Sequence, residues 1–164
     1  MRSSPFAEVV ASMDAAVLVV TTVADGDRDG CLVGFHSQSS IDPERYTVWI
    51  STENHTFDLV QRATHVGVHL LGRFQVDLAE RFGGQTADDG VDKFAGTDVR
   101  MSADGVPVLG RRVAGFVGRI VDRLDAGGDH AGVVLEPTEV WADPTMEPLR
   151  LRDVAHIHPG HPRS

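Results

Sequence analysis

Residues 17–43 read VLVVTTVADGDRDGCLVGFHSQSSIDP, and this stretch decides the class of fold. The uncharged, β-branched run Val17–Val23 predicts a buried strand. The cluster Asp25–Gly30 is rich in Asp and Gly and predicts the turn of a hairpin, whose second strand is Cys31–Ser37. The Ile41-Asp42-Pro43 break then separates this unit from the next strand. Two strands joined directly by a turn indicate antiparallel β-structure.

The remainder of the chain predicts a mainly β barrel with two or three short helices. Four further runs predict strands: Tyr46–Ser51, His65–Leu71, Arg112–Leu124 and Val133–Trp141. Caps and apolar spacing predict three helices: residues 5–13 behind Ser4, a helix behind Asn54, and residues 74–82. Residues 83–110 predict a long surface excursion with one helical turn near residues 91–94. The strands do not alternate with helices as βαβ units would, which favours a barrel over a parallel sheet.

Length and composition place the chain among globular proteins of one domain. It has 164 residues, of which 41% are hydrophobic. We expect the domain to span residues 1–143, and residues 144–164, which contain four prolines, to form a C-terminal tail. The first ten residues lack the apolar core of a signal peptide, and the longest apolar run, Ala15–Val20, is too short to span a bilayer. We therefore expect a cytoplasmic protein without a membrane segment.

Charge and cysteine content exclude several classes of function. Fifteen Lys and Arg residues face 24 Asp and Glu residues, a formal net charge of -9. This balance argues against a nucleic-acid partner and against an anionic membrane surface, both of which require a basic footprint. The single cysteine, Cys31, excludes an internal disulfide and a Cys-rich zinc site, and we expect it to be a buried small apolar residue.

The histidines and serines do not form a recognisable metal or nucleophile motif. His156, His158 and His161 form an H-x-H-x-x-H tract near the C-terminus, where we expect no metal site. His65 and His69 lie four apart on a predicted strand, too far apart to chelate one ion, and we expect them in the barrel wall. The chain also lacks a G-x-S-x-G elbow and both common glycine-rich nucleotide loops.

Two polar segments remain as candidates for binding a ligand. Ser37, Gln38, Ser39 and Ser40 crowd the end of a predicted strand, where an ST-rich turn is the purely structural alternative. Asn54-His55-Thr56 begins a predicted helix, whose free N–H groups favour a phosphate. Together these segments predict a site for a phosphorylated cofactor.

The chain resembles the flavin reductase family, whose fold is the FMN-binding split β-barrel, over roughly residues 5–141. Each matching block is weak alone, and the resemblance rests on their common order and spacing. The blocks are Val17–Thr22, Gly30–Pro43, Val68–Leu71, Gln75 with Leu78–Phe82, Lys93-Phe94, Gly105-Val106-Pro107 and Gly128-Asp129-His130.

The resemblance implies a homodimer with FMN at the subunit interface. The residues that it implies at the flavin are Leu32, Val33, Gly34, Phe35, Ser37, Ser39, Ser40, Asn54 and Thr56, the last two near the phosphate. On the nicotinamide side it implies Gly128, Asp129 and His130, with His130 as the catalytic residue that orients the nicotinamide without moving a proton. The sequence departs from the family at Gly34, His36, Glu44 and His69, which stand for Ser, Phe, Pro and Asn.

The activity implied by the resemblance is an NAD(P)H-dependent reduction of FMN, with FAD as the alternative flavin and NADH or NADPH as hydride donor. A partner oxygenase is then expected to receive the reduced flavin. Two alternatives stay open. One is a split barrel that binds FMN, or another planar cofactor such as haem, without turnover. The other is a pyridoxamine-phosphate-oxidase-like relative. Gly128-Asp129-His130 favours the reductase, because a flavin carrier has no use for a histidine on the nicotinamide side.

Overall fold

The computed structural model describes residues 3–85, 92–110 and 114–158. The predicted features at residues 86–91, at Arg112 and at His161 lie outside these ranges. The described residues form three α-helices: α1 (Pro5–Met13), α2 (His55–Val60) and α3 (Val76–Gly84). They form nine strands: β1 (Leu18–Ala24), β2 (Asp27–Val33), β3 (Phe35–Ser40), β4 (Arg45–Ser51), β5 (His65–Leu70), β6 (Val99–Met101), β7 (Pro107–Leu109), β8 (Ala114–Asp125) and β9 (His130–Trp141).

Seven strands form one antiparallel sheet in the order β2-β1-β5-β8-β9-β4-β3, and β6 and β7 pair separately. Strands β2 and β3 therefore lie at opposite edges of the sheet, although only Gly34 separates them in sequence. One residue advances the chain by less than about 4 Å, so the two edges must meet at Gly34. The sheet consequently curls into a barrel, as predicted from the sequence.

The barrel interior is one apolar cluster. It includes Leu18 and Val20 of β1, Val33 of β2, and Val48 and Ile50 of β4. Val19 of β1 and Val17, which directly precedes β1, instead belong to a second cluster outside the barrel. Because β1 is buried on both faces, its sequence carries no charge.

The second cluster is covered by α3, β7 and the C-terminal segment. Phe82 of α3, Leu109 of β7, Leu149 and Val154 are buried there. Leu149 donates its N–H to Leu71 O and accepts from Val17 N, at 2.8 and 2.9 Å. Residues 148–154, which include a 3-10 helix at Leu151–Val154, therefore pack against the barrel, within the segment that we predicted as a tail.

The structure confirms most predicted elements and corrects four. The predicted strand Cys31–Ser37 is interrupted at Gly34, and its two parts belong to β2 and β3 at opposite edges of the sheet. The hairpin turn consists of Asp25 and Gly26 alone, both at positive φ, because Asp27–Gly30 already belong to β2. Phe74 precedes α3 instead of starting it, and is 88% exposed. Residues 92–110 are not a surface excursion, since side chains there, such as Phe94 and Val108, are buried.

Helix α1 has the predicted Ser4 cap, whose Oγ accepts from Ala7 N at 3.1 Å. Its apolar face is nevertheless exposed: Phe6, Val9 and Met13 are 76%, 56% and 70% accessible. The helix therefore offers an apolar surface that the described part of this chain does not cover. None of the helices in the described ranges has the length and apolarity to span a bilayer.

His69 lies in the barrel wall, as predicted, and joins three strands. Its Nδ1 donates to Val19 O of β1 at 2.9 Å, and its Nε2 accepts from Leu109 N of β7 at 3.1 Å. Accepting at Nε2 requires the neutral ring. Burial lowers the pKa of His69 to about 4, because the charged form would be desolvated.

This geometry predicts a pH dependence of stability. Between pH 6.5 and pH 4 the unfolded chain binds a proton at His69 that the folded chain does not. The free energy of unfolding should therefore fall by up to about 3 kcal/mol as the pH decreases across this window, and level off below it. Urea unfolding at several pH values measures the fall.

The control is His69→Asn, whose amide can keep the bond to Val19 O but does not titrate. The difference in stability between wild type and variant should shrink or reverse as the pH decreases. Parallel stability curves for the two proteins would contradict the assignment.

Candidate functional site

Alternating side chains of β3, β4 and β9 form a partly exposed surface that we call the outer face. Val48, Ile50, Val133 and Leu135 point into the barrel, so their neighbours in sequence point away from it. Residues directly opposite on paired strands share a face. The outer face therefore consists of Phe35, Ser37, Ser39, Thr47, Trp49, Ser51, His130, Gly132 and Val134.

Phe35 and His130 meet on this face although they are 95 positions apart in the numbering of the chain. Their ring centroids lie 4.7 Å apart with the planes inclined at 48°. His130 is the first residue of β9, pairs with Ser51, and is therefore held by the sheet instead of by the preceding turn. The sequence-predicted flavin strand and the predicted nicotinamide residue thus share one surface.

Asp129 fixes the orientation of the His130 ring. The Nδ1 atom of His130 lies 2.7 Å from Asp129 Oδ1, so the proton is on Nδ1 and donated to the carboxylate. The hydrogen bond from His130 lowers the pKa of Asp129, which keeps the carboxylate ionised. Nε2 then points away from Asp129 and is the ring nitrogen left for a hydrogen bond with a ligand.

Five members of the outer face were not predicted from the sequence: Thr47, Trp49, Ser51, Gly132 and Val134. Trp49 lies opposite Phe35, and its ring covers Gly132, where an added Cβ would come within 2.9 Å of the indole. Thr47 donates its hydroxyl to Ser39 Oγ at 2.9 Å. The alternation Thr47-Val48-Trp49-Ile50 indicates that Thr47 and Trp49 share one face of the strand. It does not indicate which face is exposed, because an apolar Trp on a strand is as consistent with a core as with a surface.

The loop between β4 and α2 lies beside His130. Asp129 O accepts from Thr52 N at 2.9 Å and from Thr52 Oγ1 at 3.2 Å. Asn54 caps α2 as predicted, with its Oδ1 accepting from Thr56 N at 3.0 Å. The predicted phosphate residues therefore adjoin the hairpin that carries the predicted nicotinamide residue.

The Thr56 hydroxyl and the Cys31 thiol are buried next to each other below this loop. The Thr56 side chain interacts with the Cys31 thiol, and among the described residues Thr56 Oγ1 has no other hydrogen-bond partner. Burial raises the pKa of Cys31 to about 12, so the thiol stays protonated. Cys31 is thus a small core residue, as expected, and carries no nucleophilic chemistry.

Other residues of the predicted flavin set point elsewhere. Val33 belongs to the barrel interior, Leu32 packs in the second cluster, and Gly34 faces Leu151, within 2.9 Å of where a Cβ would lie. Ser40 ends β3 beyond a bulge. Gly128, which was predicted on the nicotinamide side, lies exposed in the turn before β9.

His36 also points inward and closes the barrel. Its Nε2 donates to Ala16 O at 2.7 Å, and its Nδ1 accepts from the Tyr46 hydroxyl at 2.6 Å. Burial raises the pKa of Tyr46, which keeps the phenol protonated as the donor. His36 therefore ties β3 to the segment before β1 and takes no part in the outer face.

Other parts of the described surface offer fewer groups that could bind a ligand than the outer face does. A groove of about 760 Å³ surrounds Phe74, but Arg73 there is paired with Glu147 at 2.8 Å. In the described ranges no three His, Cys, Asp or Glu side chains are grouped to hold a metal ion. His156 of the C-terminal tract instead lies 2.9 Å from Glu80.

Comparison with known proteins gives one consistent family. The family model described as "Flavin reductase like domain" matches residues 10–155. The reductase component of a 4-nitrophenol 4-monooxygenase/4-nitrocatechol 2-monooxygenase from Rhodococcus opacus is 31% identical over 149 residues, which cover 91% of this chain and 77% of that protein.

An FMN reductase (NADH) from Bradyrhizobium diazoefficiens is 30% identical over 122 residues, covering 74% of this chain and 67% of the relative. Among solved structures, nitrilotriacetate monooxygenase component B from Mycobacterium thermoresistibile superimposes with a TM-score of 0.76. It is 26% identical, and the match covers 88% of this chain and 78% of that one.

Proposed function

This chain belongs to the flavin reductase-like domain family and is a flavin-reducing oxidoreductase, and we propose that its flavin is FMN, held on the outer face and reduced by NADH or NADPH. The observation that carries the proposal is the contact between Phe35 and His130. It joins the predicted flavin strand to the predicted nicotinamide residue on one exposed surface.

The outer face suits a planar flavin in shape and in polarity. The rings of Phe35 and Trp49 offer apolar contact to an isoalloxazine, and such contacts favour offset or edge-to-face ring packing. The hydroxyls of Ser37 and Ser39 lie on the same strand and offer hydrogen bonds to the polar edge of the ring or to the ribityl chain. FAD shares these contacts and stays as the alternative flavin.

We place the flavin phosphate at the β4–α2 loop. The donors that the loop offers are the side-chain amide of Asn54 and the N–H of Thr56, which now bonds to Asn54 Oδ1. Asn54 and Thr56 match the positions that the family resemblance assigns to the phosphate.

When bound, the flavin would accept a hydride from the nicotinamide nucleotide and pass the electrons to an acceptor. The residues of this chain then supply orientation and electrostatics. His130, held by Asp129, can accept the carboxamide N–H of a nicotinamide at Nε2 and thereby keep its ring over the flavin. Correct orientation makes the transfer effectively unimolecular, and no side chain has to exchange a proton.

We propose a homodimer as the functional unit. The exposed apolar face of α1 and the half-exposed Phe35 are surfaces that a second copy would bury, and two-fold pairing is the commonest symmetry of soluble oligomers. The partner that receives reduced flavin is proposed to be an oxygenase, because the relative from Rhodococcus opacus is named as a monooxygenase reductase component. A non-catalytic flavin or haem carrier would leave the Asp129–His130 pair without a role.

His130→Ala should slow hydride transfer about 10- to 100-fold, because it removes one positioning contact worth about 1–3 kcal/mol. FMN affinity should change little, since the proposed ring contacts come from β3 and β4 and the proposed phosphate contacts from Asn54 and Thr56. Anaerobic stopped-flow reduction of the FMN-loaded variant measures both quantities. His65→Ala, which alters a histidine on the distant strand β5, serves as the control and should reduce flavin at the wild-type rate. A wild-type rate in His130→Ala would assign the residue a structural role.

Light scattering should give twice the 17.7 kDa mass of one chain. Phe6→Glu, which places a charge on the exposed face of α1, should shift the protein to the monomer. Phe74→Glu changes an equally exposed phenylalanine outside α1 and should leave the dimer intact. A wild-type monomer at micromolar concentration would contradict the dimer.

A further inference from the structure

A buried chain of charged groups links three distant segments next to the β4–α2 loop. Asp29 of β2 and Lys93 are both 2% exposed, and Lys93 Nζ lies 3.2 Å from Asp29 Oδ1. The same ammonium donates to Gly30 O at 2.6 Å. The other carboxylate oxygen, Asp29 Oδ2, accepts from His55 Nδ1 at 3.0 Å.

Both carboxylate oxygens of Asp29 are used within this chain of contacts. Oδ1 also accepts from Gly30 N at 2.7 Å. His55 is one-quarter exposed, and its Nε2 lies 3.9 Å from the exposed carboxylate of Asp27. The three side chains therefore hold one another in a single arrangement. A lysine on the surface would not be held in one position in this way.

Burying an ion pair is a weak way to stabilise a fold, because desolvation of both charges offsets their attraction. Apolar side chains of similar volume would stabilise the same position at least as well. What the charged chain does provide is a fixed geometry. Its end point, His55, is the first residue of α2 and the direct neighbour of Asn54 and Thr56.

The β4–α2 loop is thus held from two sides. Thr52 bonds to Asp129 O in the hairpin that carries His130, and His55 bonds to Asp29 in β2. Between these two attachments lie only Glu53 and Asn54. Because the loop is already fixed in this way, its donors do not lose further conformational freedom when a ligand binds. This favours binding.

We propose that Lys93, Asp29 and His55 are positioning residues that preorganise the β4–α2 loop for the flavin phosphate. This inference rests on the proposed location of the phosphate at that loop. None of the three side chains belongs to the outer face, so they act on the ligand through Asn54 and Thr56. Their loss should weaken the recognition of the phosphate and leave the recognition of the flavin ring unchanged.

The ratio of riboflavin Kd to FMN Kd separates positioning from stability, because both ligands share the ring and only FMN carries the phosphate. Titrations by flavin fluorescence, well below the unfolding midpoint of each variant, give this ratio. His55→Leu removes the donor to Asp29, and the ratio should fall about tenfold. His55→Asn keeps an N–H near the position of Nδ1, and its ratio should stay within about twofold of the wild type.

Two further variants complete the design. His69→Asn is the control for destabilisation, because it loses the hydrogen bond that His69 Nε2 accepts from Leu109 N in the barrel wall. This variant should be less stable than the wild type but should keep the wild-type ratio of riboflavin Kd to FMN Kd. The double variant Asp29→Asn with Lys93→Met removes both charges together and leaves no unpaired buried charge. We therefore expect it to fold even if either single substitution prevents folding. Its ratio should fall as in His55→Leu.

Each outcome assigns the effect to one cause. A ratio preserved in His55→Leu or in the double variant would overturn the positioning role and leave the chain of charges as part of the fold only. An equal loss in His69→Asn would overturn it as well, by assigning the effect to general destabilisation. If the wild type binds riboflavin as tightly as FMN, the phosphate location itself is wrong, and both proposals fail.

Discussion

The one-residue connection at Gly34 is the constraint on which the rest of the molecule depends. It joins β2 and β3, which lie at opposite edges of a seven-stranded sheet, so the sheet must curl until these edges meet. A side chain at this position would come within 2.9 Å of Leu151, and glycine lets the C-terminal segment pack directly on the crossing. His36 stabilises the same junction by its bonds to Ala16 O and Tyr46.

The closure of the barrel at Gly34 also places residues that are consecutive in sequence in different environments. Leu32 and Val33 lie before the crossing and serve the two apolar clusters, whereas Phe35 and Ser37 lie after it on the outer face. The strand β9 brings His130 to the same face from far along the chain. The proposed flavin site therefore lies where β3, β4 and β9 meet, with the β4–α2 loop beside them.

The sequence predicted the strands of the large sheet well because apolar alternation and turn residues report local structure directly. It also named Ser37, Ser39 and His130 as candidates, since polar residues at the end of a strand and a short Gly-Asp-His block can be recognised in the sequence, and the structure brings these three residues to one face. It could not assign Leu32 and Gly34 to the correct side, because the face of a strand depends on the register of its partner. The pairing of Lys93 with Asp29 could not be predicted for a related reason. The two residues lie far apart along the chain, and in the sequence each looks like an ordinary surface charge.

The central claim is that this barrel holds a flavin and mediates its reduction by a nicotinamide nucleotide. The most direct measurement mixes FMN-loaded protein with NADH, and in parallel with NADPH, in the absence of oxygen, and records the visible absorption of the flavin. We expect the absorption to bleach with at least one nucleotide, at a rate that saturates with nucleotide concentration and exceeds that of free FMN. Bleaching no faster than that of free FMN with either nucleotide would contradict the claim.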